Sequence, residues 1–126
     1  MPQFLVAGYL PDDYDPSTED PGVMEEIMEE IHALNREMIA AGVRKLACGL
    51  GTTRTLRAQP NGEFLLTDGP YLETKEHVGG FWILECADFD EAVAWASKSA
   101  KACRSAIEVR EMLFYPAPEQ GSNEGK

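Results

Sequence analysis

Residues 80–86 read Gly80-Phe81-Trp82-Ile83-Leu84-Glu85-Cys86, and the two faces of this stretch decide the fold. A short apolar run of this kind suits a strand in the interior of a sheet. Side chains alternate along a strand, so Phe81 and Ile83 project to one side while Trp82, Leu84 and Cys86 project to the other. Both sides are apolar. Residues 3–10 (Gln-Phe-Leu-Val-Ala-Gly-Tyr-Leu) share this property, with Phe4 and Val6 opposing Leu5, Ala7 and Tyr9. An antiparallel sheet with one wet face would alternate apolar and polar residues. These two strands do not.

Working outward, Pro11–Gly22 holds three prolines and five acids, which breaks both strand and helix and marks a loop. From Val23 the period changes. Val23, Ile27, Ile31, Leu34, Met38 and Ala41 line one face of a helix, and Gly42 is a fitting stop. Residues 43–58 are strand-like with breaks at Gly49 and Gly51. Thr53–Ala58 and Glu63–Thr67 form a hairpin about the Gln59-Pro60-Asn61-Gly62 turn. Asp88 with Glu91 makes a capping box for a second helix, whose expected inner stripe is Phe89, Val93, Ala96, Ala100 and Cys103. Residues 106–114 alternate again, Ile107 and Val109 against Glu108 and Arg110.

The order is strand, helix, strand, hairpin, strand, helix, strand. That is an α+β chain with the ferredoxin-like split β-α-β pattern: an antiparallel sheet, two helices on one face, plus the hairpin. Two helices cover one face only. Leaving the other wet would forfeit several kcal/mol, at about 25 cal/mol per Å², and would create a patch prone to association. The expected cover is a second copy, sheet against sheet, pairing as a dimeric α/β barrel; the alternative is the loop of residues 11–22 folding back over that face.

The chain has 126 residues, which fits one domain, expected over 1–114 with a flexible tail at 115–126. Its formal charge of −11 argues against a direct nucleic-acid partner, whose phosphates are bound by Lys and Arg. No apolar run approaches the ~18 residues a membrane helix needs, so no membrane partner is expected. Met1-Pro2-Gln3-Phe4 lacks the basic start of a signal peptide. Cys48, Cys86 and Cys103 are odd in number and widely spaced, which suggests reduced, buried thiols and a cytoplasmic location. No metal site and no cofactor is expected, because two histidines and three scattered cysteines do not make four clustered ligands.

The segment with chemistry to offer runs from Thr67 to Gly80. Asp68-Gly69-Pro70 sets a sharp turn, and Gly79-Gly80 allows close backbone approach as the chain re-enters the sheet. The run Asp68-Gly-Pro-Tyr71-Leu72-Glu-Thr-Lys75-Glu-His-Val-Gly-Gly80 resembles the DGPF motif (DGPFAETKE, then Gly-Gly) of YCII-related proteins. Tyr71 stands in place of Phe and Leu72 in place of Ala. The opening strand, the Ala40-Ala41-Gly42 helix end and the strand around Ile107–Arg110 extend the resemblance over about residues 3–114. It implies a ferredoxin-like subunit that dimerises through its sheet. The family's activity is mostly unassigned. Related proteins carry a His–Asp pair in a cleft suited to acid–base chemistry, and distant members of the fold act as dehydrochlorinases or isomerases.

Carried over residue by residue, that pair is His32 and Asp68. His32 flanks the Ile27–Ile31 stripe by about 100°, at a helix edge, and Asp68 ends a strand. A nearby carboxylate would orient the imidazole and raise its pKa. Expected ligand contacts are Arg54 and Lys75 for an anion, with Tyr71 and Trp82 beside it. Two functions therefore stay open. One is a cofactor-independent lyase or isomerase using His32 and Asp68 on a small anionic or aromatic molecule. The other is a non-catalytic dimeric module that binds a ligand or a protein, including a regulatory role linked to transcription initiation. The sequence does not settle whether the protein is an enzyme.

Overall fold

The computed structural model describes residues 1–11, 14–18, 20–68 and 76–116. Six strands and two α-helices follow in chain order: β1 (Gln3–Pro11), α1 (Pro21–Ala40), β2 (Arg44–Gly49), β3 (Arg54–Ala58), β4 (Phe64–Asp68), β5 (Glu76–Glu85), α2 (Phe89–Cys103) and β6 (Ile107–Glu111). The four-stranded sheet has the order β2-β5-β1-β6, and β3-β4 forms a separate hairpin. Each neighbouring pair is antiparallel. With the hairpin set aside, this is the ferredoxin-like arrangement that the alternation of strands and helices predicts.

The core lies between the helices and one face of the sheet. Phe4, Val6, Trp82 and Leu84 point into it from β1 and β5 and meet Leu34 and Met38 of α1 and Ala92, Ala96 and Ala102 of α2. Register explains the grouping. Val6 sits opposite Trp82 on one side and Val109 on the other, and Ala47 faces Trp82 from β2. These four form one row across the sheet.

Asn35 ties α1 to that row. Its Oδ1 accepts from the indole N–H of Trp82 at 3.1 Å and from Arg44 Nε at 2.8 Å. The Gly79-Gly80 pair behaves as expected at re-entry: a Cβ at Gly80 would come within 2.9 Å of the Cys48 carbonyl oxygen. Only glycine lets β5 lie this close to β2 there.

Three details depart from the sequence reading. α1 starts at Pro21, with Asp20 as N-cap accepting from Gly22 N–H, so the loop is shorter than Pro11–Gly22. Proline is pre-set for the first helical turn. In α2 the buried residues are Ala92, Ala96, Ser99 and Ala102, while Phe89 and Val93 are largely exposed. Small side chains let this helix approach the sheet closely, and the Ser99 hydroxyl is satisfied by donating to the Trp95 carbonyl oxygen. Phe89 still packs edge-on against Phe4, with ring centroids 5.3 Å apart. Finally, Cys86 is buried and Cys103 half-buried, but Cys48 is exposed. Burial pushes the Cys86 thiol up to about 11, which keeps it protonated and inert near neutral pH.

Candidate functional site: the open face of the sheet

The face of the sheet away from the helices carries the alternate residues of each strand. Leu46, Ile83 and Leu5 stand in one row, continued by Arg110. Cys48, Phe81 and Ala7 stand in the next, continued by Glu108. No described helix or strand packs over these rows. Leu46 and Cys48 are exposed, and Leu5, Phe81 and Ile83 are only half-buried by their neighbours.

Polar groups bound this apolar field. At the β1–β6 side the Tyr9 N–H donates to the Ala106 carbonyl oxygen at 3.1 Å, and its side chain lies beside Glu108. The Tyr9 hydroxyl donates to Glu108 Oε1 at 2.8 Å, and Arg110 Nε lies 3.3 Å from the same oxygen. The hydrogen bond to Glu108 raises the pKa of the Tyr9 phenol above its ordinary value, with burial adding to the effect. Near the other end of β5, Lys45 Nζ reaches Glu85 Oε1 at 3.3 Å and holds that carboxyl below its usual range. The face therefore offers an apolar floor with a protonated phenol, a carboxylate and a guanidinium along one side. Such a set can orient a small ring that carries an anionic or hydrogen-bonding group.

The residues singled out from sequence lie elsewhere. His32 is exposed on α1. At about 100° per residue it lies about 160° round the helix from buried Leu34 and about 120° from buried Met38. It is on the solvent side of α1, further from the sheet than a helix-edge position. Asp68 ends β4 as expected, with its side chain 87% exposed and paired to Arg54 Nε at 3.1 Å across the hairpin. The described contacts do not join His32 to Asp68. Trp82, expected among the ligand contacts, is 7% exposed in the core beneath α1, so its ring belongs to the packing there. Tyr71 and Lys75 lie outside the described residues.

Tyr9, Glu108 and Arg110 were not singled out together, although alternation groups Tyr9 with Leu5 and Ala7 and sets Glu108 with Arg110. What sequence lacked was the register that sets β6 beside β1. Among the described residues no group of three or more His, Cys, Asp or Glu side chains is placed to hold a metal ion. No described helix is long and apolar enough to cross a membrane.

A model of the YCII-related domain matches residues 4–114. The chain belongs to the YCII-related family. The match runs from Phe4, the first core residue of β1, to just beyond β6, so it takes in both helices, the hairpin and the open face. The YCII chain is also similar to an uncharacterized protein of Rhizobium meliloti (strain 1021), 35% identical over 100 residues, covering 75% of this chain and 80% of the relative.

Proposed function

We propose that this YCII-family chain is the subunit of a homodimer, paired sheet against sheet, that encloses a small anionic or aromatic ligand at the paired faces. The observation that carries the reading is the open face itself: apolar across β2, β5 and β1, with Tyr9, Glu108 and Arg110 set beside it. Covering Leu5, Phe81 and Ile83 would stabilise the pair, at about 25 cal/mol per Å². Desolvation would also strengthen the Tyr9–Glu108–Arg110 interactions. Arg110 supplies the charge for an anionic group, Tyr9 and Glu108 supply hydrogen bonding, and Phe81 supplies a ring surface.

A lyase or isomerase built on His32 and Asp68 would need one substrate to touch both. His32 faces solvent on α1, while Asp68 is engaged by Arg54 on the hairpin. These positions favour a binding role over that pair as the centre of catalysis.

Sedimentation equilibrium of the wild type and of Ile83→Glu, followed by calorimetric titration with a panel of phenols and aromatic carboxylates, tests the proposal. A wild-type dimer, a monomeric I83E and ligand uptake by the wild type alone are expected. A wild type that stays monomeric at tens of micromolar, or I83E binding the same ligands equally well, would overturn it.

A further inference from the structure

Tyr9, Glu108 and Arg110 form an electrically neutral set, and that neutrality narrows what the open face can take. Glu108 and Arg110 stand two residues apart on β6, on one face of the strand. Their charges pair through Arg110 Nε and Glu108 Oε1 at 3.3 Å. The Tyr9 hydroxyl donates to the same oxygen at 2.8 Å. Both contacts therefore fall on Oε1. Among the described residues no other side chain hydrogen-bonds to Glu108 Oε2 or to the Arg110 guanidinium. The side chains of Arg110 and Glu108 are 70% and 45% exposed, so both groups are within reach of a ligand.

The two open groups ask for opposite things. With Nε turned to Glu108, the Nη1 and Nη2 end of Arg110 remains, a planar fork of donors that matches a carboxylate. A bare carboxylate seated there lies one guanidinium away from Glu108, and the like charges repel. It also leaves Oε2 without a donor once a second copy of the chain removes the water, which is costly for a carboxylate. A phenol or an amine has the reverse fault, since it leaves the guanidinium without an anion. A carboxylate with a hydroxyl or amide N–H beside it meets both demands: its carboxylate takes the fork and its donor takes Oε2. Register places the rest of such a molecule. Arg110 stands opposite Leu5, and Leu5 opposite Ile83, with strands about 4.8 Å apart. An apolar body attached next to the carboxylate would rest on Leu5 and Ile83.

We infer that the ligand of this face is an apolar-bodied carboxylate with a hydroxyl or amide N–H donor beside the carboxyl group, and that Glu108 selects it. This rests on the binding site between paired sheets proposed above and names its ligand class.

The test uses the full chain, at a concentration where sedimentation shows the dimer. Calorimetric titration compares mandelate with phenylacetate, which lacks only the hydroxyl. Glu108→Ala is titrated with the same pair after circular dichroism and sedimentation show it folded and dimeric. The wild type should bind mandelate about tenfold more tightly, the effect of one hydrogen bond to a charged group. In E108A phenylacetate should bind more tightly than it does to the wild type, and the preference should vanish. Equal affinities in the wild type, or a preference that survives in E108A, would overturn the inference and spare the binding site. A wild-type dimer that takes up phenols and neither acid would do the same. A wild type that is monomeric throughout, or a dimer that binds none of these molecules, would overturn both. Should E108A fail to fold or to pair, the wild-type comparison decides alone.

Discussion

Replacing Asn35 by Ala removes one oxygen that serves two partners on the sheet. The Trp82 indole donates to it at 3.1 Å and Arg44 Nε at 2.8 Å. Trp82 is 7% exposed, so its N–H would be left buried and unpaired, a loss of about 1–3 kcal/mol. Arg44 is only half-buried, and water would replace most of its bond. The Asn35 amide also donates to the Ile31 carbonyl oxygen at 2.9 Å, within the helix, where alanine's better helix propensity offsets the loss by about 0.5 kcal/mol. The net expectation is a loss of about 2 kcal/mol. For a chain of this length that lowers the melting temperature by about 8 °C. Thermal or urea unfolding at fixed protein concentration measures it, and a double-mutant cycle isolates the cause. In a Trp82→Phe background no indole N–H remains to be orphaned, so Asn35→Ala should cost less than half as much. Asn35→Asp, which keeps the acceptor, should fall closer to wild type than Asn35→Ala. If Asn35→Ala costs the same in both backgrounds, to within about 0.5 kcal/mol, the buried indole is not what makes Asn35 matter.

Three further outcomes follow from particular contacts. Gly80→Ala should cost about 2 kcal/mol in urea unfolding, because its Cβ would meet the Cys48 carbonyl oxygen at 2.9 Å. Gly79→Ala should cost less, because what it meets, Cδ1 and Cγ of Leu10, belongs to a side chain that can turn aside, whereas the Cys48 carbonyl is backbone. Arg104 caps α2 with a φ of 54° and pairs with Glu26 at 2.7 Å and Glu30 at 2.9 Å on α1. Arg104→Ala should lose the pairs alone, because alanine bears the same left-handed strain that Arg104 already bears; Arg104→Gly should lose the pairs but regain about 1 kcal/mol by relieving that strain; and the pair contribution of about 0.5–1 kcal/mol should shrink in 1 M salt. Tyr9 has a folded pKa above its ordinary value, so the contribution of its neutral phenol is whole below about pH 10 and fades as pH rises through the folded value. A phenolate absorbance titration of wild type minus Tyr9→Phe should show that raised midpoint, and Glu108→Ala should bring it back toward 10.

Strand alternation carried most of the fold, because it is a local property with a period of two. Phe81 and Ile83 against Trp82 and Leu84 could be sorted without knowing any partner strand, and the same sorting grouped Tyr9 with Leu5 and Ala7, and Glu108 with Arg110. Helix faces were less legible. In α2 the eye follows Phe89 and Val93, yet the sheet is met by Ala92, Ala96, Ser99 and Ala102. Close approach of a helix favours the smallest side chains, which carry the weakest hydropathy signal. In α1 the isoleucine stripe suggested an edge position for His32, while the buried Leu34 and Met38 set the true inward direction and left His32 in solvent.

The site was legible only in parts because its members meet through register. Tyr9 and Glu108 lie 99 residues apart, and Trp82 and Asn35 lie 47 apart. Nothing local in either strand or helix announces such a pair. Asp68 shows the converse. Its place at the end of β4 was readable from the Asp68-Gly69-Pro70 sequence, but its partner was not, and Arg54 faces it because the hairpin register puts it there. The same step recurs one level up. Each chain displays an apolar face that its own helices do not cover, and neither strand pattern nor turn chemistry encodes what lies across from it. The complement to that surface is therefore sought in a second chain, and the chemistry proposed for Tyr9, Glu108 and Arg110 depends on the water that such a chain would remove.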